Sequence, residues 1–183
     1  MRLLPLAPSI LSSPWSERPG PCQFCGFNGL TGFAAQEDTQ EVACTLCQSA
    51  WRLDADTAIQ EIALIWLPSI SQAALNCLVR AIHLTFHRHG EPSHMACKPS
   101  SDTPQLRAAY RAYKSLAMRM EHVENTLGLV SPKDLAAALM GLSTSDYERR
   151  ASLLGGLRLL HRGRYFQGGL DIYPKILDSW DTR

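Results

Sequence analysis

Two periods of apolar residues organise the chain. IALIWL, residues 62–67, is an unbroken apolar run ending at Pro68, and its length predicts a strand buried on both faces. SQAALNCLVRAIHLTFHRHG, residues 71–90, places Leu75, Leu78, Val79, Ile82 and Phe86 at helical spacing, with Ser71 as N-cap and Gly90 as terminator. A third stretch begins at Asp102 or Thr103 with Pro104 in its first turn. It carries Leu106, Tyr110, Tyr113, Met120, Val123 and Leu127 on one stripe up to Gly128, which predicts one helix of about six turns.

The same grammar recurs towards the C-terminus. In SPKDLAAALMG, residues 131–141, Ser131 caps, Pro132 starts and Asp134 takes the acidic capping-box position. Ser143 to Leu154 predicts a further helix, GGLRLL a short extended segment, and YPKILDSW a last short helix that returns Trp180 to the core. Upstream, TLCQSAWRLDAD predicts a short helix with Leu46, Ala50 and Leu53 at helical spacing, and residues 8–21 read as an irregular lead-in anchored by Trp15. The expected fold class is α+β, mostly helical. Residues 1–60 form a zinc-binding module, and residues 61–183 a strand plus helical region packed with it as one compact domain.

Composition narrows the function classes without naming one. The 183 residues carry a formal charge of +1, so the general cationic excess of a non-specific nucleic-acid binder is missing. Charge is unevenly placed, however. Glu37, Asp38, Glu41, Asp54, Asp56 and Glu61 face a single Arg52 between residues 36 and 61, and that acidity repels phosphate. From Lys98 to Arg164 eleven Lys and Arg stand against six acids, read as solvated helix faces. Pro5 and Pro8 break the apolar start, so no signal peptide is predicted, and no run approaches the ~18 residues of a membrane span. The expected compartment is the cytoplasm, where paired cysteines act as thiolate ligands rather than disulfides.

The candidate chemistry lies in CQFCGFNGLTGFAAQEDTQEVACTLC, residues 22–47, which holds two CxxC pairs with eighteen residues between the inner cysteines. A CxxC knuckle turns backbone amides toward its first sulfur, and Gly26 supplies the freedom such a turn uses. Cys22, Cys25, Cys44 and Cys47 are therefore the expected ligands of one structural Zn2+. A closed four-thiolate shell leaves no position for an activated water, so the metal does no Lewis-acid work. The alternative is that the four are simply small buried apolar residues.

His87, His89, His94 and Cys97 form a second cluster of ligand types, but without a chelating pair they read as dipole-favoured residues at a helix end and its loop. Cys77 and Cys97 are expected to be free thiols, with Cys77 on or beside the packed face. No phosphate loop, nucleophile elbow or HExxH is present, and no residue is assigned a catalytic role. Tyr110, Tyr113, Met118 and Met120 are candidates for a partner surface, although core packing is the expected place of all but Met118.

A paired-CxxC framework with a helix starting at the second knuckle is also the skeleton of many HNH nucleases. Those enzymes place histidines between the knuckles, and residues 26–43 contain none. CQFCGF, ACTLCQSAW and LIWLPSISQAALNCLVRAI resemble the DotN/IcmJ family, zinc-binding components of Dot/Icm-type (type IVB) secretion and related conjugation systems. The resemblance covers roughly residues 20–90, with a weaker echo in GGLRLL and the terminal helix. It implies an HNH-like fold without nuclease function, with zinc held by Cys22, Cys25, Cys44 and Cys47. It also implies an adaptor that binds a cytoplasmic extension of the coupling-protein ATPase, together with other coupling-complex subunits, at the cytoplasmic face of the bacterial inner membrane. The runner-up is an HNH-derived nuclease or nucleic-acid-binding zinc protein. A short interval between the knuckles departs from the family pattern, so effector secretion and plasmid conjugation both stay open.

Overall fold

The computed structural model describes residues 17–18, 20–28, 32–34, 42–94, 98–129 and 131–181. Trp15 and Cys97 lie outside them. The architecture is mostly helical α+β. In chain order the elements are β1 (Glu17–Arg18), β2 (Gly32–Ala34), β3 (Val42–Ala43), α1 (Thr45–Gln48) running into a 3-10 turn at Ser49–Trp51, α2 (Ala58–Glu61), β4 (Ile62–Trp66) and α3 (Gln72–Arg88). There follow α4 (Pro104–Ala117), α5 (Met120–Leu127), α6 (Pro132–Met140), α7 (Thr144–Glu148), α8 (Arg150–Leu153), β5 (Leu157–His161), β6 (Phe166–Gln167), β7 (Leu170–Asp171) and α9 (Tyr173–Asp181).

The unbroken apolar run of β4 is explained by burial on both faces. It pairs antiparallel with β5, from Ile62 opposite His161 to Trp66 opposite Leu157. Side chains alternate across a strand, so Ala63 and Ile65 join Leu75, Val79, Ile82 and Phe86 of α3 and Leu106 and Tyr113 of α4. Ile62 and Leu64 face the other way, onto Leu53, Val123, Leu135 and Leu139. Each fully buried aliphatic or Phe side chain contributes about 1.5–3 kcal/mol relative to exposure, so the strand is the centre of stability.

Ser71 caps α3 as expected, its Oγ accepting from Ala74 N at 3.1 Å. Leu78 departs from the expected buried stripe: it is 41% exposed. Buried instead are Asn76, Arg80 and His83, so α3 presents an apolar face to β4 and a polar one to the cysteines.

The predicted six-turn helix is two helices. Thr103 caps the first, but the chain leaves it at Met118–Arg119 before α5 begins. Arg119 O accepts from Trp66 N at 3.3 Å, which carries the chain around the edge of β4. Thus α4 packs on one face of the strand and Val123 of α5 on the other. Likewise the helix expected over 143–154 is broken at Arg149 into α7 and α8. The Ser131–Asp134 capping box is present, with Asp134 N donating to Ser131 Oγ at 3.1 Å and Ser131 N to Asp134 Oδ2 at 2.8 Å. Tyr113 is core, Tyr110 and Met120 pack partly buried against it, and Met118 is exposed.

A third core surrounds the cysteines. Leu46 and Trp51 from the N-terminal side meet Tyr165, Tyr173, Ile176, Leu177 and Trp180 from the C-terminal side. Helix α9 therefore closes over the sulfur cluster, and Trp180 is buried as expected. Among the described residues, no helix is long and apolar enough to cross a membrane.

Candidate metal centre

The first knuckle is a tight turn. Gly26 N donates to Cys22 O at 2.8 Å, Cys22 N donates to Phe27 O at 2.8 Å, and Gly26 takes the left-handed conformation at φ 71°. A side chain at that φ is strained, so the glycine serves the turn itself. The second knuckle sits where β3 passes into α1: Cys44 precedes the helix, Cys47 lies within it, and Gln48 N donates to Cys44 O at 2.9 Å. Gln23 N donates to Val42 O at 3.0 Å, which fastens one knuckle to the strand leading into the other.

The result is a four-sulfur cluster. The Sγ atoms of Cys22, Cys25, Cys44 and Cys47 all lie within 4.8 Å of one another. Cys25 and Cys44 are 3.6 Å apart. A tetrahedron with zinc–sulfur bonds of about 2.3 Å has edges of about 3.8 Å, so the cluster has the dimensions of a four-thiolate zinc site. Three of the four cysteines are buried and Cys25 is half-buried. The arrangement is consistent with one structural metal such as zinc, held on all sides by sulfur.

Donors around the cluster point the same way. Asn76 Nδ2 donates to Cys47 Sγ at 3.2 Å, while Asn76 Oδ1 accepts from Gln72 Nε2 at 2.8 Å, which fixes the amide. Gln72 is itself tied to both backbone groups of Leu159 on β5. Arg80 Nη2 lies 3.4 Å from Cys44 Sγ and 3.6 Å from Cys25 Sγ. Its guanidinium stacks 3.6 Å from the centroid of Phe27 and 5.2 Å from that of Trp180. Arg80 is only 6% exposed, and among the described residues no carboxylate pairs with it. A buried cation needs a counter-charge, and the sulfurs are the groups in place to supply it. Burial works against the charge on Arg80, but the neighbouring Cys44 and Cys25 outweigh it and raise the guanidinium pKa.

The thiols divide in the direction this crowding requires. Hydrogen bonds from Cys22, Cys44 and Cys47, with Arg80 adding to them, hold Cys25 far below the usual thiol range. Cys25 pushes Cys22 up, yet Cys44 and Cys47 outweigh it and leave Cys22 at about 6. Cys44 and Cys47 are pushed up, chiefly by Cys22 and Cys25. So many negative charges cannot share this volume alone. A divalent cation at the centre lets all four sulfurs ionise together.

Further out, His161 Nε2 hydrogen-bonds Leu46 O at 2.8 Å. A carbonyl only accepts, so Nε2 carries the proton, and the ring holds the backbone between the two cysteines of the second knuckle. His83 Nδ1 meets Tyr173 Oη at 2.6 Å, which locks α3 to α9. Asn76, Arg80 and His161 escaped the sequence reading. Asn76, Arg80 and His83 at i, i+4 and i+7 did, however, form a polar stripe on an otherwise amphipathic helix, a signal that could have identified them.

Among the described residues, His87, His89 and His94 do not come together as a ligand set. His87 Nε2 pairs with Asp178 at 2.9 Å, His89 Nδ1 bonds Thr85 O of its own helix at 2.8 Å, and His94 lies in the following loop. Among the described residues the four cysteines are the one group of three or more potential metal ligands in reach of one another. Cys77 is a free, exposed thiol beside the packed face rather than on it, its Sγ 3.9 Å from Cys25 O at the rim of the site. Glu61, counted above among the phosphate-repelling acids, is fully buried: it pairs with Arg52 at 3.4 Å and accepts from Thr57 Oγ1 and Phe166 N.

A cavity of about 270 Å3 adjoins Cys47, lined by Leu46, Leu53, Leu135, Leu139 and Leu154, with Arg150 among its walls. Compared with models of known protein families and with curated proteins, the chain matches none.

Proposed function

We propose that the protein is a non-catalytic, zinc-containing adaptor of a bacterial type IVB secretion or conjugation coupling complex. In this reading it binds a cytoplasmic segment of the coupling-protein ATPase. The observation that carries the absence of catalysis is the closed sulfur cluster. Four cysteines, with Asn76 and Arg80 donating to them, shape a surface and leave no corner for water. The segment that passes from β3 into α1 at the second knuckle supports an HNH-like module at the N-terminus. When bound, zinc supplies cross-linking of the two knuckles; Arg80 neutralises sulfur charge, and His161 and Asn76 orient the second knuckle.

The leucine-lined cavity beside Cys47 is the docking site in this proposal. Its apolar walls fit the non-polar face of a partner helix, and the positive charge of Arg150 at the wall suits an acidic residue on that segment. The test is calorimetric titration of the zinc-loaded protein with peptides spanning the coupling protein's cytoplasmic extension. Saturable binding that A73E and L154E, at partly exposed positions of the wall, abolish at an unchanged melting temperature is expected. Binding by no such peptide, or cleavage of DNA when a divalent metal is added, would overturn the reading and favour an HNH-derived nuclease.

A further inference from the structure

A second cavity, of about 530 Å3, shares no lining residue with the cysteine site or the leucine-lined cavity. Ala63, Ala117, Met120 and Leu160 make an apolar floor, while His94, Arg162 and Arg164 converge on it. Among the described residues no carboxylate lines it.

The convergence is built by the backbone. Gly163, between the two arginines, sits at φ 74°, and a Cβ there would lie 2.1 Å from Ser93 O and 2.9 Å from His94 N. Ser93 Oγ donates to Gly163 O at 3.2 Å. The loop carrying His94 is therefore pressed onto the Arg-Gly-Arg turn at a contact only glycine permits, and all three basic side chains are held around one space. Their donors are largely unspent. Arg162 gives its Nε to Ile62 O at 3.3 Å, and Arg164 has no hydrogen-bond or ion-pair partner among the described residues. His94 Nδ1 is shielded from solvent with no partner among them. Tyr113 is excluded from this role because its hydroxyl is given to His161 O at 2.7 Å.

Two guanidiniums with one residue between them repel each other, and nothing described in the cavity wall neutralises them. Each is a planar fork matched to the oxygens of an oxyanion. We propose that this cavity binds a small molecule bearing a phosphate group, with Arg162 and Arg164 on the phosphate oxygens, His94 beside them and the apolar floor under the organic part. Its volume falls in the ~300–1,000 Å3 range of small-molecule sites. The adaptor proposal neither requires this site nor supports it.

The test is calorimetric titration of the full-length zinc-loaded protein with adenosine 5′-monophosphate at low salt, with adenosine as the uncharged control and inorganic phosphate as competitor. Saturable one-to-one binding of the monophosphate, displaced by phosphate and absent with adenosine, is expected. R164Q should weaken it by roughly tenfold or more at an unchanged melting temperature, because Arg164 has no partner to lose. H94Q, a second variant in a half-buried loop, should weaken it by roughly threefold. R107Q, which removes an exposed arginine paired with Asp102, should leave it unchanged. No saturable binding of the monophosphate, equal binding of adenosine, or full binding by folded R164Q or H94Q would overturn the assignment.

Discussion

Replacing Arg80 with Met tests whether the sulfur cluster is anionic and charge-compensated. Met fills most of the volume of the arginine stem, so the lost terms are the guanidinium's own. It makes two N–H···S contacts, at 3.4 and 3.6 Å, and stacks on Phe27 at 3.6 Å. Both contacts come from Nη2 and are counted as one hydrogen bond to a charged group, worth about 1.5–3 kcal/mol, and a desolvated cation–π contact adds about 2 kcal/mol. Together they predict a loss of about 3–5 kcal/mol of unfolding free energy in the metal-bound protein. Zinc with four thiolates carries a net charge of −2 by valence, and Arg80 halves it. Without Arg80 the doubled charge is buried, and zinc affinity should fall by about 10- to 100-fold, the usual cost of removing an outer-shell partner. Competition against a chromophoric chelator measures the affinity, and urea unfolding in excess zinc the stability. R80K, which keeps the charge but loses the planar fork, should lie between. If R80M held zinc within about twofold of the parent and unfolded within about 0.5 kcal/mol of it, the charge argument would be wrong.

Three other outcomes follow from the same geometry. C22S combined with C44S should release the metal, with an apparent loss on the order of 10 kcal/mol, and should loosen α9 as well as the N-terminal segment, because they share one core; unchanged helical signal and melting would refute this. His83 is fully buried, and that burial, with His161 adding to it, lowers its pKa to about 3. The unfolded chain, at about 6.5, then binds more protons, so this contribution to stability is complete above pH 6.5 and declines toward pH 3 by up to about 1.4 kcal/mol per pH unit. H83Q should flatten the pH dependence of urea unfolding by that one-proton slope, and parallel curves for parent and variant would count against it. Finally, a Cβ on Gly156 would lie 2.3 Å from the Trp66 ring, so G156A should cost about 1–3 kcal/mol in urea unfolding through displacement of that indole; an unshifted midpoint would show that the ring moves freely.

Local chemistry was readable from contiguous residues. Ser71, Thr103 and Ser131 cap the helices their spacing predicted, because a cap is settled by atoms three residues away. The apolar run at 62–66 forms the doubly buried strand, and each CxxC bite sets its own two sulfurs by a local turn, the two bites then being joined through the Gln23 N to Val42 O bond. Partners distant in sequence were beyond such reasoning. Arg80 reaches Cys25 across 55 residues, and Asn76 reaches Cys47 across 29. The break at Met118–Arg119 follows from wrapping a strand edge, not from any helix breaker at that point. Likewise Glu61 is indistinguishable from a surface acid until Arg52, Thr57 and Phe166 close around it. Spacing within a turn determined which residues could chelate; only the packing of α3 and α9 over them decided which charges the cluster would meet.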